Sequence, residues 1–154
     1  MILLKENLTE IVARLKAQSK TIVTTNGVFD ILHPGHVRYL KEAKNMGDIL
    51  IVGLNSDRST RLFKGESRPI NTEHDRAEIL DALESVDYVV IFDEPDPRAF
   101  LEIARPHTHV KGGDYTLERI IEKDIVEAGG GTVVLVAVSL GYATTNIIKK
   151  IRDN

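Results

Sequence analysis

The feature that most constrains the fold is an alternation of short apolar runs with helical segments along the chain. Each run is rich in β-branched residues and nearly continuously apolar, as is typical of parallel strands that are buried on both faces. The runs cover residues 21–25, 49–54, 88–92, 107–110 and 132–136. Strands that alternate with helices predict βαβ units with right-handed crossovers. We therefore expect an α/β fold with a doubly wound, five-stranded parallel sheet.

Helical patterns fill the intervals between the runs, on both faces of a Rossmann-like sheet in a single domain. Thr72, followed three residues later by Asp75, is typical of a helix N-cap. The predicted helices cover 35–46, 73–83, 97–104, 117–128 and 145–151, and an additional amphipathic helix covers about 8–17. We expect residues 1–18 to be a helical extension that precedes the main domain, 19–154. The apolar face of that extension is a candidate contact surface of a homodimer.

Composition excludes several classes of protein. The 154 residues include 20 Lys and Arg against 23 Asp and Glu, without the basic excess that a nucleic-acid-binding protein normally shows. The absence of cysteine excludes disulfides, thiolate zinc sites and a cysteine nucleophile. The longest apolar run, 133–138, is far shorter than the roughly 20 residues that cross a bilayer. Met1 leads into Lys5 and Glu6, and no apolar stretch lies behind these charged residues, so we expect a cytoplasmic protein with neither membrane nor nucleic-acid partners.

Ligands of doubly wound sheets bind beyond the carboxyl ends of the strands, so the segments that follow the strands are the candidate site. The first of these segments carries Gly27, which favours a close approach of the backbone, and then His33 and His36 on either side of Pro34-Gly35. A helix begins here, and the free N–H groups of a helix N-terminus suit a phosphate. The spacing of the two histidines also permits a metal ion, but no third ligand is close in sequence and we predict no protein metal site.

Three further segments have a composition that suits nucleotide binding. Residues 55–71 form a long predicted loop, and its basic residues would close over an anion or simply be solvated. Gly112, Gly113 and Asp114 permit a close backbone approach and a hydrogen bond to a ribose, or else form a turn with a helix cap. Thr144 and Thr145 open the last helix, where Thr144 would be an N-cap and both hydroxyls would also suit a phosphate.

The residues 27–30 and 33–36 together resemble the HxGH motif of the cytidylyltransferase-like nucleotidyltransferases. Members of that superfamily transfer a nucleoside monophosphate from an NTP to a phosphorylated acceptor and release pyrophosphate. The resemblance has two departures near the Thr-Thr pair. Ala143 stands where serine is usual, and Ser139 and Leu140 stand where many members have an arginine that contacts a phosphate.

The segments 54–57, 64–69, 110–115 and 144–151 resemble one group of this superfamily, the D-glycero-β-D-manno-heptose 1-phosphate adenylyltransferases. The resemblance extends over about residues 20–151. It implies the transfer of AMP from ATP to heptose 1-phosphate, which gives ADP-heptose for lipopolysaccharide or another surface glycan. That group occurs as the C-terminal half of a bifunctional kinase/adenylyltransferase or alone, and we expect the form that stands alone.

The resemblance implies a role for each matching residue. His33, His36 and Lys64 would act on the phosphates and the leaving pyrophosphate, and Thr144 and Thr145 would hold the same phosphates. The residues expected to line the nucleotide site are Gly27, Val28, Phe29, Asp30, Gly112, Gly113 and, at the ribose, Asp114. Mg²⁺ would accompany the NTP. By position, Asn55, Asp57 and Arg76 are candidates for the sugar phosphate, although Arg76 would equally pair with Glu73 on its own helix.

Other functions stay open from the sequence alone. The nearest is a CTP-dependent cytidylyltransferase that acts on glycerol 3-phosphate or another phospho-alcohol. A non-catalytic nucleotide-binding module would be expected to lose His36 or Lys64, and both are present. A redox enzyme of the Rossmann type would need a G-x-G-x-x-G segment after the first strand, which this chain does not have.

Overall fold

A computed structural model describes residues 1–113, 120–137 and 142–153. The strands are β1 (Ile2–Leu3), β2 (Ile22–Gly27), β3 (Ile49–Asn55), β4 (Tyr88–Phe92), β5 (Thr108–Gly112) and β6 (Thr132–Val136). The helices are α1 (Leu8–Ala17), α2 (Pro34–Lys44), α3 (Asp57–Lys64), α4 (Glu73–Asp81), α5 (Arg98–Ala104), α6 (Lys123–Ala128) and α7 (Thr144–Arg152), with a 3-10 turn at Lys5–Asn7. Within these residues, no helix combines the length and the apolar character that crossing a membrane requires.

All strands of the sheet are parallel, in the order β1-β4-β3-β2-β5-β6. β1 lies at one edge, the strands β2, β3 and β4 follow in order toward that edge, and β5 and β6 are then added on the other side of β2. This confirms the predicted α/β class with a parallel sheet, but the predicted number of five strands is wrong. The additional strand, β1, pairs with β4 through only Ile2 and Leu3, a run too short for a periodicity to show.

The N-terminal segment is packed into the same core as the sheet. Leu8, Val12 and Leu15 of α1 are buried in a cluster with Phe100 and Leu101 of α5. The apolar face that we considered for a homodimer contact is thus covered within the chain, because β1 and α5 lie beside it. The homodimer stays a prediction without this support, and the boundary at residue 18 stays a prediction as well.

The segment 55–71 is not the long loop that we predicted, because α3 occupies its first half. Ser56 caps this helix, since its Oγ accepts a hydrogen bond from the N–H of Ser59 at 2.9 Å. The helix ends at Gly65, whose φ of +88° is the left-handed region that glycine enters at little cost. The residues Asn55-Ser56-Asp57 are typical of turns and equally of helix N-termini, and the second alternative holds here.

The ends of the other helices near the site differ slightly from the predicted ones. The Thr72 N-cap is confirmed, since its Oγ1 accepts from the N–H of Asp75. α2 begins at Pro34 with His33 as its cap. α7 begins at Thr144 with Ala143 as its N-cap, so Thr144 is the first helical residue and not the cap. α6 begins at Lys123, and the predicted start at 117 lies outside the described residues.

The Leu8→Ala variant tests whether the N-terminal segment belongs to the core. Leu8 is fully buried, so its truncation is expected to lower the free energy of unfolding by about 2–5 kcal/mol. Leu62→Ala is the control, because Leu62 is 63% exposed on α3 and is expected to change stability by less than about 0.5 kcal/mol. Urea unfolding followed by circular dichroism measures both, and equal stability of the two variants would contradict the packing of α1.

Candidate active site

A cavity of about 470 Å³ opens at the carboxyl ends of β2, β3 and β5, where the order of the strands reverses. The structure brings most of the predicted site residues to this cavity. Those that line it are Gly27, Val28, Phe29, Asp30, His33, His36, Asn55, Lys64, Gly112, Thr144 and Thr145. Gly113, Asp57 and Arg76 are not among the lining residues. Asp114 lies outside the described residues.

The two histidines form a stacked pair at the N-terminus of α2. Their ring centroids are 3.8 Å apart and the ring planes differ by 16°. His33 has extended backbone, and its Nδ1 accepts a hydrogen bond from the backbone N–H of His36 at 3.3 Å. An imidazole whose Nδ1 accepts a hydrogen bond carries its proton on Nε2 when it is neutral. Nε2–H of His33 is therefore a donor available to a ligand.

Burial favours the neutral form of both histidines in the free protein. Burial, together with the neighbouring His33, lowers the pKa of His36 to about 4. Burial also lowers the pKa of His33, against a hydrogen bond that raises it. Nδ1 of His36 is buried and has no hydrogen-bond partner among the described residues. The site thus offers uncharged N–H groups and an unpaired ring nitrogen beside the positive end of a helix.

Close packing around the histidines explains the glycine and the backbone strain of this segment. A Cβ on Gly35 would lie 2.9 Å from Cβ of Tyr142 and 3.0 Å from Nδ1 of His33, so no larger residue fits. Phe29 has a φ of +48°, which is costly for a residue with a side chain. Its ring meets that of His36 edge to face, with centroids 5.3 Å apart. This strained turn thereby places an aromatic wall against the histidines.

Asp30 lines the cavity, but its carboxylate is used to hold the segment 65–71. It accepts hydrogen bonds from Nε of Arg68 at 2.6 Å and from the backbone N–H groups of Ile70 and Asn71 at 2.8 and 3.0 Å. Nδ2 of Asn71 donates in return to the carbonyl of Asp30 at 2.7 Å. Burial would raise the pKa of Asp30, but these hydrogen bonds outweigh it and lower the pKa. The carboxylate therefore stays ionised and fixes the chain that follows α3.

Arg76 is buried beneath the site and does not reach the cavity. Its Nη1 donates to the carbonyls of Val28 at 2.6 Å and Asn55 at 2.9 Å. Its Nε donates to the carbonyl of Asn71 at 3.1 Å, and its Nη2 to Oδ1 of Asp57 at 2.8 Å. This differs from both predicted roles, the contact with an acceptor phosphate and the pair with Glu73. The guanidinium instead ties together the chain segments that form the floor of the site.

The acceptor candidates Asn55 and Asp57 have different surroundings. Asn55 ends β3 and lines the cavity, with its Nδ2 donating to Oγ of Ser59 at 3.2 Å. Asp57 is turned toward Arg76, and its backbone N–H donates to Glu73 at 2.7 Å. Of the two, the structure leaves only Asn55 in the cavity. The carboxylate of Asp57 neutralises the buried guanidinium of Arg76.

The cationic and hydroxyl groups at the mouth of the cavity come from α3 and α7. Lys64 is the last residue of α3 and is exposed, so its ammonium can follow a bound ligand. Thr144 donates from Oγ1 to the carbonyl of Ile31 at 3.1 Å, which joins α7 to the histidine segment. Thr145 follows it in the first turn of α7. These groups suit an extended anion, since positive charge and helix N–H groups converge on one cavity.

Sequence reasoning missed several residues that line the cavity. They are Asn26, Gly35, Tyr39, Phe63, Lys111, Tyr142 and Ala143, whereas Arg68, which also lines the cavity, is one of the basic residues of the segment 55–71 that we expected to close over an anion. Lys111 is the most informative, because it lies in β5 and donates to Oδ1 of Asn26 at 3.0 Å and to Glu122. Its place at a strand end was visible in the sequence. The partner Glu122 was not, because only the fold brings the start of α6 to β5.

No group of three or more His, Cys, Asp or Glu side chains that would hold a metal ion occurs among the residues described. Among the described residues that line the cavity, only Asp30 carries a carboxylate, and that carboxylate is already bound to Arg68 and to backbone N–H groups. A divalent ion in this cavity would therefore take its ligands mainly from a bound phosphate and from water.

Comparison with known proteins shows the family to which the chain belongs. A family model described as cytidylyltransferase-like matches residues 24–150. The chain is 54% identical over 144 residues to the bifunctional protein HldE of Geobacter sulfurreducens, covering 94% of this chain and 29% of the relative. It is 50% identical over 150 residues to the bifunctional protein HldE of Syntrophotalea carbinolica, covering 97% and 31%. The chain thus spans less than a third of the length of these relatives.

Two solved structures resemble the fold. The lipopolysaccharide core biosynthesis protein from Thermoplasma volcanium is similar with a TM-score of 0.65 and 33% identity, over 78% of this chain and 97% of that one. The pantoate-beta-alanine ligase from Francisella tularensis has a TM-score of 0.65 over the whole of this chain and 78% of that one. Its 18% identity supports the fold alone.

The Arg76→Met variant tests the buried guanidinium. It would leave three carbonyls and the carboxylate of Asp57 without their donor, and the expected loss in the free energy of unfolding is about 3–5 kcal/mol. Arg14→Met is the control, because Arg14 is exposed on α1 and should change stability by less than about 0.5 kcal/mol. Urea unfolding measures both variants. A loss of under 1 kcal/mol (about fivefold in the equilibrium) for Arg76→Met would contradict the structural role.

The depressed pKa of His36 predicts how stability depends on pH. Between pH 6.5 and about 4 the unfolded chain binds more protons at this residue than the folded one, so the free energy of unfolding falls as the pH is lowered through that window. His36→Gln should reduce the fall between pH 7.5 and 5 by about 1–2 kcal/mol, discounted for partial exposure. Urea unfolding at both pH values measures this. His74→Gln, on the exposed face of α4, should keep the wild-type difference, and an unchanged difference in His36→Gln would refute the assignment.

Proposed function

Because the chain belongs to the cytidylyltransferase-like family, we propose that it is a nucleotidyltransferase that transfers AMP from ATP to D-glycero-β-D-manno-heptose 1-phosphate. The products are ADP-heptose and pyrophosphate. The proposal draws its acceptor from the resemblance of the sequence segments 54–57, 64–69, 110–115 and 144–151 to the heptose 1-phosphate adenylyltransferases. It agrees with the names of relatives, among them proteins called HldE and a lipopolysaccharide core biosynthesis protein. The use of ATP in this reaction also favours a cytoplasmic location.

The observation that carries the proposal is the neutral, stacked histidine pair at the start of α2. His33 and His36 face the same cavity as Lys64 and the N-terminus of α7. Uncharged imidazoles in a partly buried site can donate hydrogen bonds to phosphate oxygens at a small cost of desolvation. As the bound phosphates bring negative charge, they raise the pKa of both rings and favour the imidazolium form. The pair can thus increase its positive charge as charge builds up on the phosphates.

The reaction requires no protein nucleophile. An oxygen of the acceptor phosphate attacks the α-phosphorus of ATP, a new P–O bond forms, and the bond from the α-phosphorus to the bridging oxygen of the leaving pyrophosphate breaks in line with it. The acceptor oxygen is already ionised, so no proton has to be removed. Catalysis then depends on orientation and on stabilising the charge that develops. We assign His36 to the α-phosphate, and His33, Lys64, Thr144 and Thr145 to the leaving pyrophosphate.

The lining of the cavity fits a magnesium ion that enters with the triphosphate. Phosphate oxygens and water would supply most of its ligands, since the Asp30 carboxylate is already hydrogen-bonded. Bound in this way, Mg²⁺ would neutralise charge on the β and γ phosphates. On the protein side, the N–H groups at the start of α7 and the ammonium of Lys64 would hold the same phosphates. Gly27 and Gly112 also line the cavity, and a Cβ at these positions would meet the rings of Phe29 and Tyr39 at 3.0 and 2.9 Å.

The test is pyrophosphate release in the presence of Mg²⁺, with ATP, CTP and GTP each paired with heptose 1-phosphate and with glycerol 3-phosphate. We expect turnover with ATP and heptose 1-phosphate. His36→Ala should lower kcat by about 10²–10³-fold, as expected for the loss of a donor to the developing charge. His74→Ala is the matched control, because His74 is an exposed histidine outside the cavity and should retain activity.

Other outcomes of this assay would redirect the proposal. Turnover confined to CTP and glycerol 3-phosphate would replace the heptose substrate but keep the histidine assignment. Equal activity of His36→Ala and the wild type would remove the histidine pair from the mechanism. If no pair of substrates reacts while calorimetry shows that ATP binds, the chain is a binding module and the proposed activity is refuted.

A further inference from the structure

A second cavity, which we call the side cavity, adjoins the site. It has a volume of about 270 Å³. The two cavities share Asn26, Asn55, Phe63 and Lys111, so the side cavity opens into the site at the ends of the three central strands. It lies on the side of β5 and of the segment before α5. Among the predicted site residues that the structure describes, Asn55 alone lines the side cavity.

The boundary between the cavities is a hydrogen-bonded polar group with balanced charge. Lys111 donates to Oδ1 of Asn26 at 3.0 Å and pairs with Glu122, which is 2% exposed. Oε1 of Glu122 also lies 3.9 Å from Nε2 of the buried His109. An ammonium that is fully paired with a buried carboxylate adds no net charge to the cavity. Lys111 is therefore fixed in place and presents N–H groups rather than an uncompensated cation.

The remaining wall combines an acid with apolar surface. Asp96 lines the side cavity, with its Oδ1 accepting from the N–H of Arg98 at 2.9 Å. Phe63, Ile120 and Ile121 provide apolar walls. Carboxylates and amides bind hydroxyl groups, and apolar or aromatic surface packs against the C–H faces of a sugar ring. The lining thus has the chemistry of a site for a polyhydroxylated molecule.

The charges that line the two cavities suit different ends of a sugar phosphate. Within the side cavity, Asp96 and Glu122 oppose the single cation Lys111 among the described residues that line it. This excess of negative charge disfavours a phosphate there. In the site cavity, the histidine pair, Lys64 and the start of α7 favour one. An acceptor that spans both would place its phosphate at the histidines and its hydroxyls in the side cavity.

We propose that the side cavity binds the polyhydroxylated body of the acceptor sugar phosphate, with Lys111, Asn26 and Asn55 as hydrogen-bonding partners and Glu122 as the residue that positions Lys111. This assignment rests on the proposed function for the identity of the acceptor. It places the specificity for the sugar on β5 and the start of α6, away from Asp57 and Arg76. It also accounts for Asn55, the one predicted acceptor residue that reaches the cavity.

The test fills the side cavity and leaves the fold and the nucleotide site intact. Ile121 is 61% exposed and lines the side cavity, so Ile121→Trp narrows it without disturbing the core. Ile151→Trp on α7 is the matched control, since Ile151 is 69% exposed and lies outside both cavities. We expect Ile121→Trp to raise KM for heptose 1-phosphate by about tenfold or more. The KM for ATP should change less than about twofold, and Ile151→Trp should match the wild type.

Lys111→Met supplies a second variant, because it keeps a long unbranched side chain and removes the ammonium donors. It should raise KM for the sugar phosphate, with the dissociation constant of ATP measured by calorimetry nearly unchanged. Its thermal unfolding reports any structural loss separately. An equal rise in KM for ATP and for the acceptor in both variants would refute the assignment of the side cavity. So would wild-type kinetics for the acceptor in Ile121→Trp.

A binding measurement separates this inference from the proposed activity. Saturation-transfer NMR detects the protons of heptose 1-phosphate that contact the protein, with or without turnover. If the wild type does not turn over and yet contacts the sugar protons, and Ile121→Trp loses these contacts, the activity fails and the side cavity stands. If turnover occurs and Ile121→Trp keeps the contacts, the side cavity fails and the activity stands. The absence of both turnover and contacts would overturn both.

Discussion

The site depends on a buried guanidinium, that of Arg76, which does not line the cavity. Arg76 is 1% exposed and donates to the carbonyls of Val28, Asn55 and Asn71 and to the carboxylate of Asp57. These carbonyls lie after β2, at the end of β3 and before α4, where the ladder of the sheet no longer pairs them. Burying a cation costs several kcal/mol, and only complete pairing offsets that cost. Complete pairing is available in one arrangement of the three segments, so the guanidinium selects that arrangement.

The carboxylate of Asp30 likewise fixes the position of a chain segment, the one that follows α3. Asp30 is paired with Arg68 and with backbone N–H groups of the chain that follows α3. Lys64 lies just before that chain, so the ion pair of Asp30 with Arg68 limits where the ammonium can reach. Preorganisation of this kind reduces the entropy that ligand binding has to overcome. The two charged residues thus hold the polar groups of the site in place, and the groups that face the ligand stay uncharged or exposed.

Features that neighbouring residues determine were predictable from the sequence, and features that depend on residues far apart in the sequence were not. The α/β class and the cavity at the strand ends follow from local patterns, the apolar runs and the motif of His33 and His36, and both were predictable. β1 was not predicted because two residues are too few to show a periodicity. α3 was not predicted because Ser56 and Asp57 are as typical of a turn as of a helix start. The position of Arg76 could not be predicted, since its partners are separated from it by up to 48 residues. Long-range pairing of charges leaves no periodic trace in a sequence.

The distribution of charge across the cavities explains why a neutral histidine pair is suited to this place. Burial would raise the pKa of Glu122, but His109 and Lys111 lower it to about 2, so the pair with Lys111 is ionised and internally compensated. Two permanently charged histidines on the other side of the site would leave a strong positive field in the absence of ligand, in a partly buried region where it is costly. Imidazoles that acquire charge only when phosphate binds avoid that cost. The positive charge then increases where phosphates are bound and reacting, and the charge of the side cavity does not change.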